Sequence, residues 1–251
     1  MHSKAMSRNL FSSMLTNWRR KAMLSTLASC IPRWCEICRL AIDPTDNHQP
    51  ICQYCQRYFL TQPRCARCGL PTLQSVAMCG QCLRHPPPWQ RVVCVGDYQP
   101  PLAAFVQQLK YQRQFWLAPW LAQLLAVRVD HPPPIITCVP LHWRRHWWRG
   151  FNQSELLAMH LAQQLDCQFE PRLFRRQKHT LPQQGMNKAQ RKRNLRHAFT
   201  IDKPPSYPHV AIVDDVMTTG STVYHLSQLL LASGVKSIDI YCLCRTPEPK
   251  D

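Results

Sequence analysis

Residues 210–222 read Val-Ala-Ile-Val-Asp-Asp-Val-Met-Thr-Thr-Gly-Ser-Thr, and their reading decides the fold. Val210, Ala211, Ile212 and Val213 form a β-type apolar run that ends on two adjacent carboxylates, Asp214 and Asp215. A small, hydroxyl-rich turn follows at Thr218, Thr219, Gly220, Ser221 and Thr222, and a helical pattern then begins with Val223, Leu226, Leu229 and Leu230. The turn therefore sits where a helix offers unpaired N–H groups and the positive end of its dipole, an arrangement that receives phosphate. Carboxylates just upstream suit hydroxyl donors, so the string as a whole calls for a phosphorylated sugar. Adjacent acids alone serve equally well as helix caps or solvated turn residues. Specificity comes from strand, acids, glycine and helix coinciding.

Working outward, short apolar runs alternate with helical ones. Strands are expected at Val92–Val95, Ile135–Val139, Ala211–Val213 and Ile238–Leu243, and helices at Leu102–Lys110, Phe115–Val129 and Phe151–Leu165. Gly234 is expected to end the helix that follows the opening string. Alternation of this kind predicts an α/β fold with a parallel sheet, and ligands of such sheets gather beyond the carboxyl ends of the strands. Val139 and Val213 are both expected to end strands where polar loops begin. The loop after Val139 carries Arg144, Arg145 and Arg149 among aromatic rings. Those guanidinium groups could hold pyrophosphate by bidentate contacts, or backbone phosphates and bases of single-stranded nucleic acid; packing of Arg over exposed Trp is the plain structural alternative. A second basic stretch, Arg172 to Phe199, includes Arg191 and reads as a solvated face or as a lid over a phosphate site.

Upstream lie four Cys-x-x-Cys pairs: Cys35/Cys38, Cys52/Cys55, Cys65/Cys68 and Cys79/Cys82. Two residues between thiolates let both sulfurs face one side of a tight turn and fill two corners of a tetrahedral Zn²⁺ site. Eight such ligands make two structural sites, and with so little apolar material around them, metal binding would supply the folding energy. A redox motif would not need four copies. Sequential pairing along the chain is favoured, though interleaved cross-bracing satisfies the same spacing. Pro86, Pro87 and Pro88 end this region, so the expected division is an extension at 1–29, a double zinc ribbon at 30–88 and an α/β domain at 89–251.

Lys and Arg outnumber Asp and Glu 31 to 14 in the 251 residues, which invites nucleic acid or phosphate-rich ligands. Two four-thiolate zinc sites would lower the formal +17 to about +13 and leave the chain basic. Fourteen Cys without a signal peptide, and no apolar run of membrane-spanning length, predict a soluble protein of a reducing compartment, the cytoplasm. The acid-free first 34 residues have the composition of a transit peptide, but a disordered tail, or sequence read from too early a start codon, is the favoured expectation; Met14 and Met23 are possible later starts.

The opening string resembles the signature of the type I phosphoribosyltransferases, which bind 5-phosphoribosyl-1-pyrophosphate (PRPP). That resemblance implies that Asp214 and Asp215 meet the ribose hydroxyls and that Thr218, Thr219, Gly220, Ser221 and Thr222 wrap the 5′-phosphate. It implies Mg²⁺ bridging the diphosphate, with Arg144, Arg145 or Arg149 neutralising the leaving pyrophosphate as ribose C1 passes through an oxocarbenium-like state. Purine-salvage members carry an Asp base at the position of Thr218, which cannot take a proton at neutral pH, so a hypoxanthine or guanine acceptor is disfavoured. The run Arg149-Gly150-Phe151-Asn152-Gln153, the spaced Thr180, Gln183, Arg191 and Asn194, and the closing Cys-Leu-Cys-Arg-Thr behind a double ribbon are similar to the ComF/GntX family. That likeness spans roughly residues 30 to 246 and implies a role in competence or use of external DNA, with single-stranded DNA or a DNA-uptake protein as possible partners. The acceptor stays unassigned, and a non-catalytic nucleotide- and DNA-binding accessory protein is the alternative. Tyr111-Gln112-Arg113-Gln114 departs from the family's usual Gly-Asp after Lys110, so Lys110 receives no role.

Overall fold

The computed structural model describes residues 33–43, 49–141, 150–176 and 199–246. The chain divides into two compact units, residues 1–58 and 59–251. In the first, strands β1 (Arg33–Trp34) and β2 (Ala41–Ile42) pair antiparallel beside the first two Cys pairs. Among the described residues of this unit the buried side chains are Cys35, Ile42, Ile51, Cys52 and Cys55, too few by themselves for an independent hydrophobic core.

The second unit holds the other two Cys pairs, with the short helix α1 (Gly80–Arg84) at the last of them, followed by the sheet. In chain order come β3 (Arg91–Asp97), α2 (Leu102–Tyr111), α3 (Ala118–Ala126), β4 (Ile135–Cys138), α4 (Gln153–Gln164) and β5 (Gln168–Phe169). Next are β6 (Arg175–Arg176), β7 (Phe199–Thr200), β8 (His209–Met217), α5 (Ser221–Ala232) and β9 (Ser237–Arg245). Five strands form a parallel sheet in the order β3-β9-β8-β4-β5, with β8 at its centre. The α/β reading is therefore correct. Long apolar runs in β8 and β9 are what a sheet covered on both sides demands.

One face of the sheet packs α5: Val223, Leu226 and Leu230 lie on Val210, Ile212, Ile238, Ile240 and Cys242. Each of those fully buried helix side chains contributes about 1.5–3 kcal/mol. Alternation along the strands sends Ala211, Val213, Asp239, Tyr241 and Leu243 to the opposite face, where α2, α3 and α4 lie. Adjacent strands β4 and β8 thus send their following helices to opposite faces, which opens a crevice between their carboxyl ends.

Two local expectations change. The helix expected from Phe115 to Val129 begins as a 3-10 turn, Phe115–Leu117, and is α-helical only from Ala118 to Ala126. Pro119 has no N–H to donate and fits only in the first turn, so it fixes the start. Strand β8 does not stop at Val213 but runs to Met217, because β9 supplies partners as far as Arg245 opposite Met217. No helix among the described residues is long and apolar enough to cross a membrane.

Candidate functional site

The carboxyl end of β8, the turn after it and the first turn of α5 line a small concavity of about 70 Å³, open to solvent. Its walls are Asp214, Val216, Met217, Thr218 to Thr222 and Val223. Gly220 adopts φ +74°, a conformation glycine tolerates, and stands at the N-cap of the 12-residue α5 without any side-chain cap. Helix-terminal N–H groups therefore face the concavity. The hydroxyls of Thr219 and Ser221 are 2.8 Å apart, and Ser221 N donates to Thr219 Oγ1 at 3.3 Å. Thr218 is exposed at the rim.

Because Asp214 and Asp215 both lie within β8, they point to opposite faces. Asp214 lines the concavity: its Oδ1 accepts from Ser154 Oγ at 3.1 Å and from the Asp215 amide at 2.9 Å. Burial, then the neighbouring Asp215 charge, raise its pKa to about 7 against the opposing pull of Lys110 and its hydrogen bonds. Asp215 is buried behind it, and its Oδ2 lies 2.8 Å from Lys110 Nζ at the end of α2. The contact is ionic rather than an aligned hydrogen bond, since Oδ2 has no hydrogen-bond partner among the described residues.

Asn152 makes the neighbouring wall. Its Oδ1 caps α4 through Ser154 N at 3.1 Å, and its Nδ2 donates to Val139 O at 3.1 Å. One buried side chain thus joins the end of β4 to the start of α4 and aims Ser154 at Asp214. The helix expected from Phe151 starts instead at Gln153, with Asn152 as its cap; Asn is a favoured cap residue, and that preference is the signal that could have placed the start. Arg144, Arg145, Arg149 and Arg191, the basic candidates, lie outside the described residues. The ends of the segment holding Arg191 are brought together by antiparallel pairing of β6 with β7.

The eight paired cysteines gather as two groups, Cys35/Cys38/Cys52/Cys55 and Cys65/Cys68/Cys79/Cys82, so the grouping is sequential. Within each, all ligand atoms lie within 4.8 Å of one another. Cys38–Cys52 and Cys68–Cys79 sulfurs are 3.8 Å apart, matching the edge of a tetrahedron with metal–sulfur bonds of about 2.3 Å. Both groups could hold a metal ion, and all-thiolate tetrahedra suit zinc. In the first, burial raises the Cys35 thiol pKa, but amide hydrogen bonds from Cys38, Cys52 and Ile37 outweigh it and bring it down to about 6.

A phosphoribosyl transferase domain model matches residues 152–251, which includes the whole concavity. A DNA utilization protein from Escherichia coli strain K12 is 43% identical over 225 residues, covering 86% of this chain and 98% of that protein. Competence protein F from Haemophilus influenzae is 37% identical over 206 residues, 78% of this chain and 90% of that one. The chain belongs to the ComF/GntX family. This ComF/GntX chain, which those relatives match over 98% and 90% of their own lengths, joins two Cys₄ groups to a phosphoribosyltransferase-type sheet. A hypoxanthine phosphoribosyltransferase from Staphylococcus aureus is similar at 15% identity, with TM-score 0.29 over 59% of this chain and 68% of that one, too slight a likeness to bear on the assignment.

Proposed function

We propose that this chain binds PRPP with Mg²⁺ and serves DNA utilisation or competence in the cytoplasm as a phosphoribosyltransferase of unassigned acceptor. One observation carries the reading: an uncapped helix N-terminus, opened by Gly220 and fringed by Thr219 and Ser221 hydroxyls, directly follows a strand that sets Asp214 on the same concavity. Thr218, Thr219, Gly220, Ser221 and Thr222 would take the 5′-phosphate, and Asp214 a ribose hydroxyl. Asp215 would reach the sugar only by giving up Lys110. Mg²⁺ prefers oxygen ligands and is commonly held mainly by substrate phosphates, so Asp214 is a sufficient protein carboxylate nearby. Arg144, Arg145, Arg149 and Arg191 would cover the diphosphate. Functionally we divide the chain into ribbons at 30–88, as a docking or positioning module, and a ligand domain from 89 onward.

Calorimetric titration with PRPP and Mg²⁺, followed by pyrophosphate release against a panel of acceptors, tests the proposal. Binding abolished by Asp214→Asn with Thr219→Ala supports it, and absence of binding by any phosphoribosyl ligand overturns it.

A second reading, a non-catalytic nucleotide- and DNA-binding accessory protein, is favoured by one feature. Among the residues lining the concavity, Asp214 is the sole titratable side chain, and Thr218 supplies no base for an acceptor. Tight PRPP binding without turnover, together with salt-sensitive binding of single-stranded DNA, would select this reading.

A further inference from the structure

The second Cys₄ group is fastened to the phosphate-receiving turn by a buried arginine. Arg245, the last residue of β9, is 4% exposed. Its Nε donates to Cys68 O at 2.9 Å, and its Nη1 donates to Met217 O at 3.2 Å as well as to the carbonyls of Thr218 and Thr246. One guanidinium therefore holds the carbonyl of a metal-group cysteine at one end and the first carbonyls of the turn at the other. Trp89 runs parallel to it: its Nε1 donates to Arg67 O at 2.7 Å, and its Cη2 lies 3.4 Å from where a Cβ on Gly220 would stand. The knuckle itself has little room to slide. Gly69, at φ +72°, leaves only 2.7 Å between a Cβ position and Val92 Cγ1, and Val92 N donates to Ala66 O.

Charge makes the link responsive to metal. Among the described residues no carboxylate forms an ion pair with Arg245, and a buried cation is costly without a counter-charge. Four thiolates around a divalent ion would carry net −2, and Arg245 bonds the carbonyl of one of those ligand residues, Cys68.

We propose that Arg245 is a positioning residue through which metal in the Cys65/Cys68/Cys79/Cys82 group holds the Met217–Gly220 turn in its ligand-receiving shape. The mechanical link stands independently of the ligand; its consequence for binding rests on the phosphate-site reading above.

Hydrogen exchange of the full chain, read by mass spectrometry on peptides spanning 216–223, tests this. Cys38→Ser protein isolates the second group's metal, which is then stripped with a chelator and followed by native mass. Stripping is expected to speed exchange in the turn about tenfold, while β9 amides at 238–243 keep their protection. Arg245→Lys, a point charge that cannot bridge both sides, is expected to show the fast-exchanging turn with metal still bound, and no further change on stripping. Turn exchange indifferent to metal in the Cys38→Ser protein overturns the proposal, as does Arg245→Lys behaving like its parent. If Arg245→Lys fails to fold, the metal comparison alone decides. Ribose 5-phosphate titrated into the same samples separates the two readings. Exchange coupling without binding sinks the phosphate site and leaves the clamp; binding without coupling sinks the clamp.

Discussion

Lys110 Nζ stands 2.8 Å from Asp215 Oδ2, joining the end of α2 to the central strand beneath the concavity. Both side chains are largely buried, at 16% and 6% exposure. Removing one member of such a pair leaves an uncompensated charge and costs about 3–5 kcal/mol. Lys110→Met should therefore lower stability to chemical denaturant by about that amount. Lys110→Met with Asp215→Leu should recover most of it, because no charge is left behind. Equal stability of the single and double variants would show that the contact is incidental.

Asp214 gives the site a pH dependence whose sign follows from its raised pKa of about 7. A carboxyl whose folded pKa is raised favours the folded state fully below its unfolded value, and that contribution is lost as pH rises toward 7. Binding should run the other way, because a ribose hydroxyl donates best to an ionised acceptor. Affinity for PRPP should climb between pH 6 and 8 with a midpoint near 7, and Asp214→Asn should flatten the profile. The charges of Asp215 and Lys110 act on this carboxyl from behind it and Ser154 donates to it directly, so Ser154→Ala should move the midpoint upward by removing a bond that favours the charged form. A flat wild-type profile measured by calorimetry would contradict this.

Gly220→Ala tests the turn itself. At φ +74° an L-residue is strained, and the added Cβ would sit 2.8 Å from Met217 Cε and 3.4 Å from Trp89. The methionine terminus can swing aside, so backbone strain dominates, at about 1–2 kcal/mol. Thermal unfolding should show that modest loss. Phosphoribosyl-ligand affinity should fall more than tenfold, since the N–H groups being displaced are the proposed phosphate donors. Unchanged affinity would place the phosphate elsewhere.

Sequence pattern reached the sheet because β8 and β9 are long, apolar and bounded by turn residues, and it reached the metal groups because ligand spacing is a local property. It stopped where the decisive contact joins residues far apart. The Arg245–Cys68 bond spans 177 positions, and nothing around Arg245 marks it as buried. Lys110 received no role because its flanking residues depart from the family pattern, whereas its partner is set by strand alternation at Asp215. Adjacent acids look like a pair in one dimension. In a strand they are separated by the sheet, which is why Asp214 lines the concavity and Asp215 lies behind it.

The two Cys₄ groups should differ in what their loss costs. The first belongs to a unit in which, among the described residues, three of the five buried side chains are cysteines and only Ile42 and Ile51 are aliphatic, so metal is expected to provide most of its folding energy. The second shares a unit with the sheet, tied to it by Arg64–Asp97 at 2.9 Å, Arg67–Gln90 at 2.8 Å and the Arg245 bonds. Cys38→Ser should release one metal equivalent and leave the main calorimetric transition in place. Cys65→Ser should release the other and lower that transition by roughly 10 °C, as a loss of about 3–4 kcal/mol does in a domain of this size. In the protein carrying both groups, affinity for metal should fall as pH falls, because Cys55 and Cys68, with thiol pKa values raised chiefly by burial to about 12 and about 11, must lose protons to bind. Identical calorimetric traces for the two variants would mean that the bonds from Arg64 and Arg245 to the second group carry no stability.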